Sequence, residues 1–449
     1  MTTIQRPSTS PDLTLRRHRP RTRPAGTVLL TDEELSMTEG DQGPAVAGAM
    51  DLLIRYGDIL GAERLVETNN VCGASIYGPR HSRVLGTTDP DTLFSEFSLD
   101  LRSPVPITPA AAHSCQLIGP RDHENWELQG LSAQTNDEIT RSERYLASIG
   151  VSILNTCTPY QVGNVPGRGE HCAWMESSAV PYINSLLGAR TNTEGRESTA
   201  AAMLTARIPY AGLHLTENRY ATHLVRTAVP ISTMFEWSVF GYWMGWHLRD
   251  QIPVIEGITG PVDPIALKQF GAAMNSSGDV ELYHMPGVTA EATSVDHALN
   301  GIRPEDALVF EARDFDAVVE HLNSTATGDD IDFVMIGCPH ANLDQVREVA
   351  RLLDGRRIKD GVTFWIFTPS ALREVARRSG WVDVIERAGG RVMADTCPAI
   401  GQFVPPGAKR FATDSAKQVH YLPQIMGTEG RFGTTEACVE AALTGRWVA

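Results

Sequence analysis

Three cysteines occupy one kind of position in the chain. Cys157 follows the apolar run Val151 to Leu154, Cys338 follows Phe333 to Ile336, and Cys397 follows Val392 to Ala394, so each lies just past the carboxyl end of a predicted strand. In open α/β sheets the ligand crevice lies outside those ends, so thiols separated by 181 and 59 residues in sequence can converge in space. A proline stands one or two residues beyond each thiol (Pro159, Pro339, Pro398). It turns the chain and removes a backbone donor, which suits a loop wrapped around a bound group. Three thiolates at one crevice point to an iron–sulfur cluster or a zinc ion. The alternative is three small buried hydrophobes.

Polar residues concentrate between Asn155 and Arg196. Glu170, Glu176, Ser177, Asn184, Arg190 and Asn192 are types that bind a substrate carboxylate or move protons, although caps and turns use them too. Cys157 and His171 are a nucleophile and a base by type, but no third orienting group marks a cysteine hydrolase. Near the C-terminus Ser415, Lys417, His420 and Tyr421 share one short segment. Lys417 and Ser415 there would clamp an anion; a solvated lysine with a capping serine is the plainer alternative.

These side chains need elements to position them. Thr31 with Glu34 three residues on reads as a capping box opening a helix, and Met50, Leu53, Ile54 and Leu60 stripe a longer helix over about 44–62. Residues 72–121 show no clear period and read as short strands and loops. After Arg141 strands and helices alternate, the signature of an α/β region with a largely parallel sheet. Strands are expected at 332–337, 362–367 and 391–394. Helices are expected at 343–353, capped by Asn342 and stopped by Gly355, and at 371–378, with a further turn to Ala388. Cys172 and Cys438 fall in expected helices, and Cys72 and Cys115 in irregular segments. The acidic, polar stretch 301–330 reads as a boundary.

The chain has 449 residues, enough for about three domains, and its 42% hydrophobic and 21% charged residues are those of a folded protein. A formal charge of −15 argues against duplex nucleic acid as a partner. No apolar run is long enough to span a membrane, since Glu236 and Gly241 interrupt the aromatic-rich stretch Thr233 to Trp246. Seven cysteines with no CxxC pair imply a reducing compartment, and so the cytoplasm. The first 25 residues hold six Arg and one acid, which reads as a solvated tail with no secretory apolar core.

Longer motifs carry a resemblance. Thr156-Cys157-Thr158-Pro159-Tyr160, Gly169-Glu170-His171, Glu176-Ser177-Ser178-Ala179, Gly188-Ala189-Arg190-Thr191-Asn192, Gly337-Cys338-Pro339-His340, Asp395-Thr396-Cys397 and Ser415-Ala416-Lys417 resemble, in this order, the large chain of the aconitase X family. The resemblance runs from about Leu30 to the end. It implies an α/β, aconitase-like multi-domain fold with largely parallel sheets, flanking helices and a cluster at the strand C-terminal ends. The divisions it implies are a disordered basic tail at 1–28, a region at 29–300 with the substrate and first cysteine motifs, and a region at 301–449 with the other two cysteines and the C-terminal substrate segment.

Members of that family are hydro-lyases of the cis-3-hydroxy-L-proline or mevalonate 5-phosphate dehydratase type. By resemblance Cys157, Cys338 and Cys397 would hold an iron–sulfur cluster with one iron open to a small hydroxy acid. Glu176, Ser177 and Lys417 are the catalytic candidates, and Arg190, Asn192, Ser415 and His420 the substrate contacts. The resemblance also implies a small swivelling domain that brings a catalytic serine. None follows Trp447, so a separate small-subunit partner is expected and this chain alone is expected to be inactive. Two pocket segments depart from the family pattern, Asn70-Val71-Cys72-Gly73 with Ser75 beyond, and 110–117 with His113-Ser114-Cys115. Both are expected to line the substrate pocket, which leaves two further readings: a homologue that has lost catalysis and serves binding or assembly, or a zinc-thiolate protein.

Overall fold

Three parallel sheets set the positions of the candidate residues in a computed structural model that describes residues 28–258 and 261–448. The expected tail at 1–28 lies, but for its last residue, outside the described residues. The largest sheet has the order Arg391–Ala394, Thr363–Thr368, Phe333–Ile336, Arg410–Thr413, Glu429–Phe432, all parallel. Its strand Phe333–Ile336 is buried from end to end and Thr363–Thr368 from Phe364 onward, as expected of a parallel sheet covered on both faces. The chain first winds outward from Phe333–Ile336 and then returns to place Arg410–Thr413 on that strand's other side. This reversal is a topological switch point, and the crevice it opens lies beyond Ile336 and Thr413. Helix Leu343–Leu353 buries Val346, Val349, Ala350 and Leu353, and Asn342 caps it by accepting from the Gln345 N–H at 2.9 Å.

A second parallel sheet, Pro253–Glu256, His223–Thr227, Leu308–Phe310, packs beneath helices Met234–Leu248 and Pro264–Gly278. Those helices touch along their backbones: a Cβ on Gly241 would strike the Phe270 carbonyl, and one on Gly245 the Met274 carbonyl. Their apolar faces merge with the large sheet through Phe240, Phe270, Phe333, Phe367 and Phe411. The stretch 301–330 carries the strand Leu308–Phe310 and the helix Ala312–Leu322.

The first of the three in chain order, the first sheet, is His113–Gln116, Asn70–Ala74, Ala173–Trp174, also parallel, with Ser152 and Thr193 extending its edges. Here the structure differs from the sequence reading. Residues 72–121 hold two helices, Pro79–Leu85 and Pro90–Leu99, the second capped by Asp89, which accepts from the Thr92 N–H at 2.9 Å. Cys72 and Cys115 face each other on neighbouring strands. Cys172 sits in extended chain, its N–H donating to the Arg190 carbonyl at 2.8 Å, rather than in a helix. Cys438 is helical, as expected.

The first and largest sheets are bolted together at Asp122. This fully buried carboxylate accepts from the Ala394 N–H at 2.6 Å, the Arg373 guanidinium at 3.0 Å and the Asn125 N–H at 3.0 Å. Beside it the Gly119 N–H donates to the Asp395 carbonyl at 2.9 Å. Among the described residues no helix is long and apolar enough to cross a membrane.

Candidate active site

The switch-point crevice collects residues from all parts of the chain. Cys338 follows the strand Phe333–Ile336, and Ser415 and Lys417 follow Arg410–Thr413 on its neighbour. Cys397 follows Arg391–Ala394, but the strand expected before Cys157 at 151–154 is reduced to a single bridge at Ser152 on the first sheet's edge, so Cys157 is reached through a loop. All seven cysteines are free and buried. Burial pushes the Cys157, Cys338 and Cys397 thiols up, Cys397 to about 12, and the three act on one another's charge across the crevice.

His340 links the three cysteine segments. Its fully buried ring meets the Thr396 carbonyl through Nε2 at 3.0 Å and the Thr156 hydroxyl through Nδ1 at 2.9 Å. A carbonyl only accepts, so Nε2 carries the proton, Nδ1 accepts, and the Thr156 hydroxyl donates. Burial lowers the His340 pKa to about 4, which keeps this neutral form. Its backbone N–H donates to the Cys157 Sγ at 3.3 Å. The His340 carbonyl accepts from the buried Lys268 ammonium at 2.8 Å, and Lys268 also donates to the Gln345 side chain at 2.6 Å. Burial lowers the Lys268 pKa to about 8.

The polar side of the crevice is an ion pair. The Lys417 ammonium donates to the Glu176 carboxylate at 2.9 Å and to the Ser177 hydroxyl at 3.2 Å, with the two charged side chains only 16% and 9% exposed. The Ser178 hydroxyl donates to the same Glu176 oxygen at 2.8 Å. Burial pushes the Glu176 carboxyl up, but Lys417 and Ser178 outweigh it and the net shift is down. Burial opposes the Lys417 charge, but Glu176 and the nearby thiols outweigh it and raise its pKa. Both stay charged at neutral pH.

The structure therefore brings Glu176, Ser177, Ser415 and Lys417 together with the three cysteines. The other sequence candidates sit elsewhere. Asn70 and His113 are the first residues of their strands, at the amino end of the sheet and away from the thiols. Asn70 accepts from the Trp174 indole at 2.8 Å. Gly73 lets the helix Arg196–Thr205 close onto its strand, since a Cβ there would overlap Thr199. Ser114 donates to the Ala112 carbonyl at 2.9 Å, and Ser75, past its strand's carboxyl end, to the Gly73 carbonyl at 3.3 Å. Arg190 donates to the His214 carbonyl at 2.7 Å, beside His171 at the amino end. Asn192 holds the turn at 211–213, accepting from the Leu213 N–H at 2.8 Å. His420 pairs with the Tyr242 hydroxyl at 2.8 Å. Sequence reasoning passed over Lys268 and assigned no role to His340. The available signals were a lone lysine in a small, apolar helix and a histidine two residues past a cluster-candidate cysteine.

The donor set fits an iron–sulfur cluster. Three free thiols, two past strand ends and one in the loop after Ser152, receive N–H or O–H bonds from His340, Ser415 and the 399–400 backbone, the pattern that steadies thiolate charge around a metal. Among the described residues no three His, Cys, Asp or Glu side chains are grouped so as to hold a single metal ion. A cluster spreads its thiolates more widely, over several irons and bridging sulfides.

Residues 27–217, 221–320 and 331–444 match the family models Aconitase X first domain, second domain and third domain. The phosphomevalonate dehydratase large subunit of Methanothermobacter thermautotrophicus is 36% identical over 408 residues, 90% of this chain and 96% of that protein. The cis-3-hydroxy-L-proline dehydratase of Pseudomonas aeruginosa is 33% identical over 419 residues, 92% of this chain and 69% of that protein. The crystal structure of Thermococcus kodakaraensis aconitase X in its holo-form aligns with a TM-score of 0.75 at 31% identity, covering 92% of this chain and 100% of that one.

Proposed function

The chain belongs to the aconitase X family and is a dehydratase; we infer that it removes water from a small hydroxy acid as the large subunit of a complex with a small-subunit partner. The observation that carries the reading is the Glu176–Lys417–Ser177 cluster, joining segments 241 residues apart beside three converging cysteines. Cys157, Cys338 and Cys397 would hold an iron–sulfur cluster, which when bound supplies Lewis-acid polarisation of a hydroxyl or carboxylate.

The chain's own residues handle charge and protons. Lys417, fixed as a cation, anchors the substrate carboxylate through a charge-assisted hydrogen bond, with Ser177 as a second donor. Glu176 takes the proton from the carbon next to the leaving hydroxyl. In the resting site Lys417 holds the Glu176 basicity down while burial pushes it up. A substrate carboxylate that draws Lys417 away leaves burial opposed by Ser178 alone, so the base strengthens as substrate binds. The relatives named large subunit support a separate small partner. Seven unpaired thiols support the reducing cytoplasm as the site of action.

The test is anaerobic co-expression with the small-subunit partner, followed by NMR detection of dehydration of phosphomevalonate and cis-3-hydroxy-L-proline. Turnover of one, lost about 10²–10⁴-fold in Glu176→Gln with the visible cluster spectrum unchanged, is expected. A Glu176→Gln complex as active as wild type removes Glu176 from proton transfer.

A further inference from the structure

We propose that His340 is the positioning residue that sets the three cluster cysteines in mutual register, through its contacts with the segment around each of them. The proposal rests on the cluster reading above. Cys338 and Cys397 lie past the ends of two strands of the largest sheet, whereas Cys157 lies in a loop beyond the bridge residue Ser152, and the three are 181 and 59 positions apart in sequence. Nothing in their own strand pairing fixes the Cys157 loop relative to the other two. His340 supplies that link. It is attached to the Cys338 segment through the intervening Pro339, its Nδ1 takes the hydroxyl of Thr156 next to Cys157, and its Nε2–H grips the carbonyl of Thr396 next to Cys397.

Its backbone completes the tie. The N–H reaches the Cys157 sulfur at 3.3 Å, and the carbonyl accepts from Gln161, four residues past Cys157, at 3.2 Å. Lys268 braces the same carbonyl from the second region at 2.8 Å. Thr156 is held in turn, because its oxygen accepts from the Thr158 N–H at 3.0 Å. The ring is completely buried and both its nitrogens are engaged. A phenyl or alkyl group of similar volume fills the space and breaks both ties, so the role belongs to the hydrogen bonds and not to the packing. Groups that orient metal ligands without touching the metal typically change metal retention about 10–100-fold when removed.

The experiment uses the full chain with its partner, reconstituted anaerobically with iron and sulfide. Loss of visible absorbance to an excess of iron chelator gives the rate of cluster release. His340→Ala and the milder Thr156→Val, which deletes the Nδ1 tie and the local acceptor for the Thr158 N–H but keeps the Nε2–Thr396 tie, are expected to release the cluster at least 10-fold faster than wild type, with altered paramagnetic resonance of the reduced form. Val349→Ala, a fully buried core position in the helix Leu343–Leu353 remote from the tie, lowers the melting temperature but releases the cluster at the wild-type rate. His340→Ala and Thr156→Val no faster than Val349→Ala would overturn the proposal. The metal-free chain gives a readout that needs no cluster: alkylation of Cys157 and Cys397 is expected to speed up about 10-fold in His340→Ala and not in Val349→Ala. A wild-type chain that takes up no iron fails the cluster reading alone, and the alkylation rates then decide whether His340 ties the loops.

Discussion

Removing one partner of the Glu176–Lys417 pair strands the other charge in a crevice where the two side chains are 9% and 16% exposed. Breaking a buried pair in this way costs about 3–5 kcal/mol, whereas replacing both partners by uncharged residues of similar size is often neutral. Glu176→Gln and Lys417→Met are therefore each expected to lower the melting temperature by about 6–10 °C, taking roughly 2 °C per kcal/mol for a cooperative unit of 150–250 residues. The double variant is expected to recover most of that loss, with a coupling of at least about 2 kcal/mol. Calorimetry on the four proteins measures it, and turnover on the same samples separates stability from chemistry, because the double variant stays inactive. Melting losses that simply add in the double variant would refute the pair as a buried, mutually dependent unit. An active double variant would refute its chemical role.

Other consequences can be checked independently. Asp122→Ala leaves the buried Ala394 N–H without its acceptor and the Arg373 guanidinium with Glu124 alone, so a loss of about 1–3 kcal/mol and faster alkylation of Cys397 are expected. Burial raises the Glu194 carboxyl to about 7, so the folded state holds a proton that the unfolded state has released. Stability then falls as pH rises between about 4.5 and 7, by on the order of 3 kcal/mol, and Glu194→Gln is expected to flatten that slope in melting curves at pH 5 and 8. Gly241→Leu, forced against the Phe270 carbonyl, is expected to cost about 1–3 kcal/mol, read as a lower melting temperature and earlier proteolysis. Elemental analysis after anaerobic purification is expected to find iron with acid-labile sulfide; zinc in its place would favour the zinc-thiolate alternative.

The strand-end address of the cysteines could be read from sequence because the largest sheet is covered on both faces. Its strands contain the apolar runs Phe333–Ile336, Phe364–Phe367 and Val392–Ala394, and the intervening helices carry caps such as Asn342. The first sheet offered no such runs. Asn70–Ala74 contains Asn, Cys and Gly, and Ala173–Trp174 is two residues long, too short for any period to show. Without that sheet's direction, nothing told Asn70 and His113, at its amino end, from Ser75 at the carboxyl end. The helix Pro90–Leu99 did announce itself through Asp89-Pro90, a cap followed by proline at the first helical position, but its ten residues are too few for a clear stripe. Lys417 and Glu176 were recognisable as types. Their meeting depends on the strand order of the largest sheet and its docking on the first, which no local pattern encodes.

The strand order also imposes a schedule on biosynthesis. Cys157 leaves the ribosome 240 residues ahead of Cys397, an interval of about 12–48 s at ordinary elongation rates of roughly 5–20 residues per second. The switch point does not exist until Arg410–Thr413 has slid in beside Phe333–Ile336, so the nascent chain carries the first of the three candidate cluster thiols without that crevice for more than half of its synthesis. A cluster held by these three cysteines would therefore be assembled only once that strand is in place, so its loading would follow folding of the largest sheet and not translation of the individual thiols.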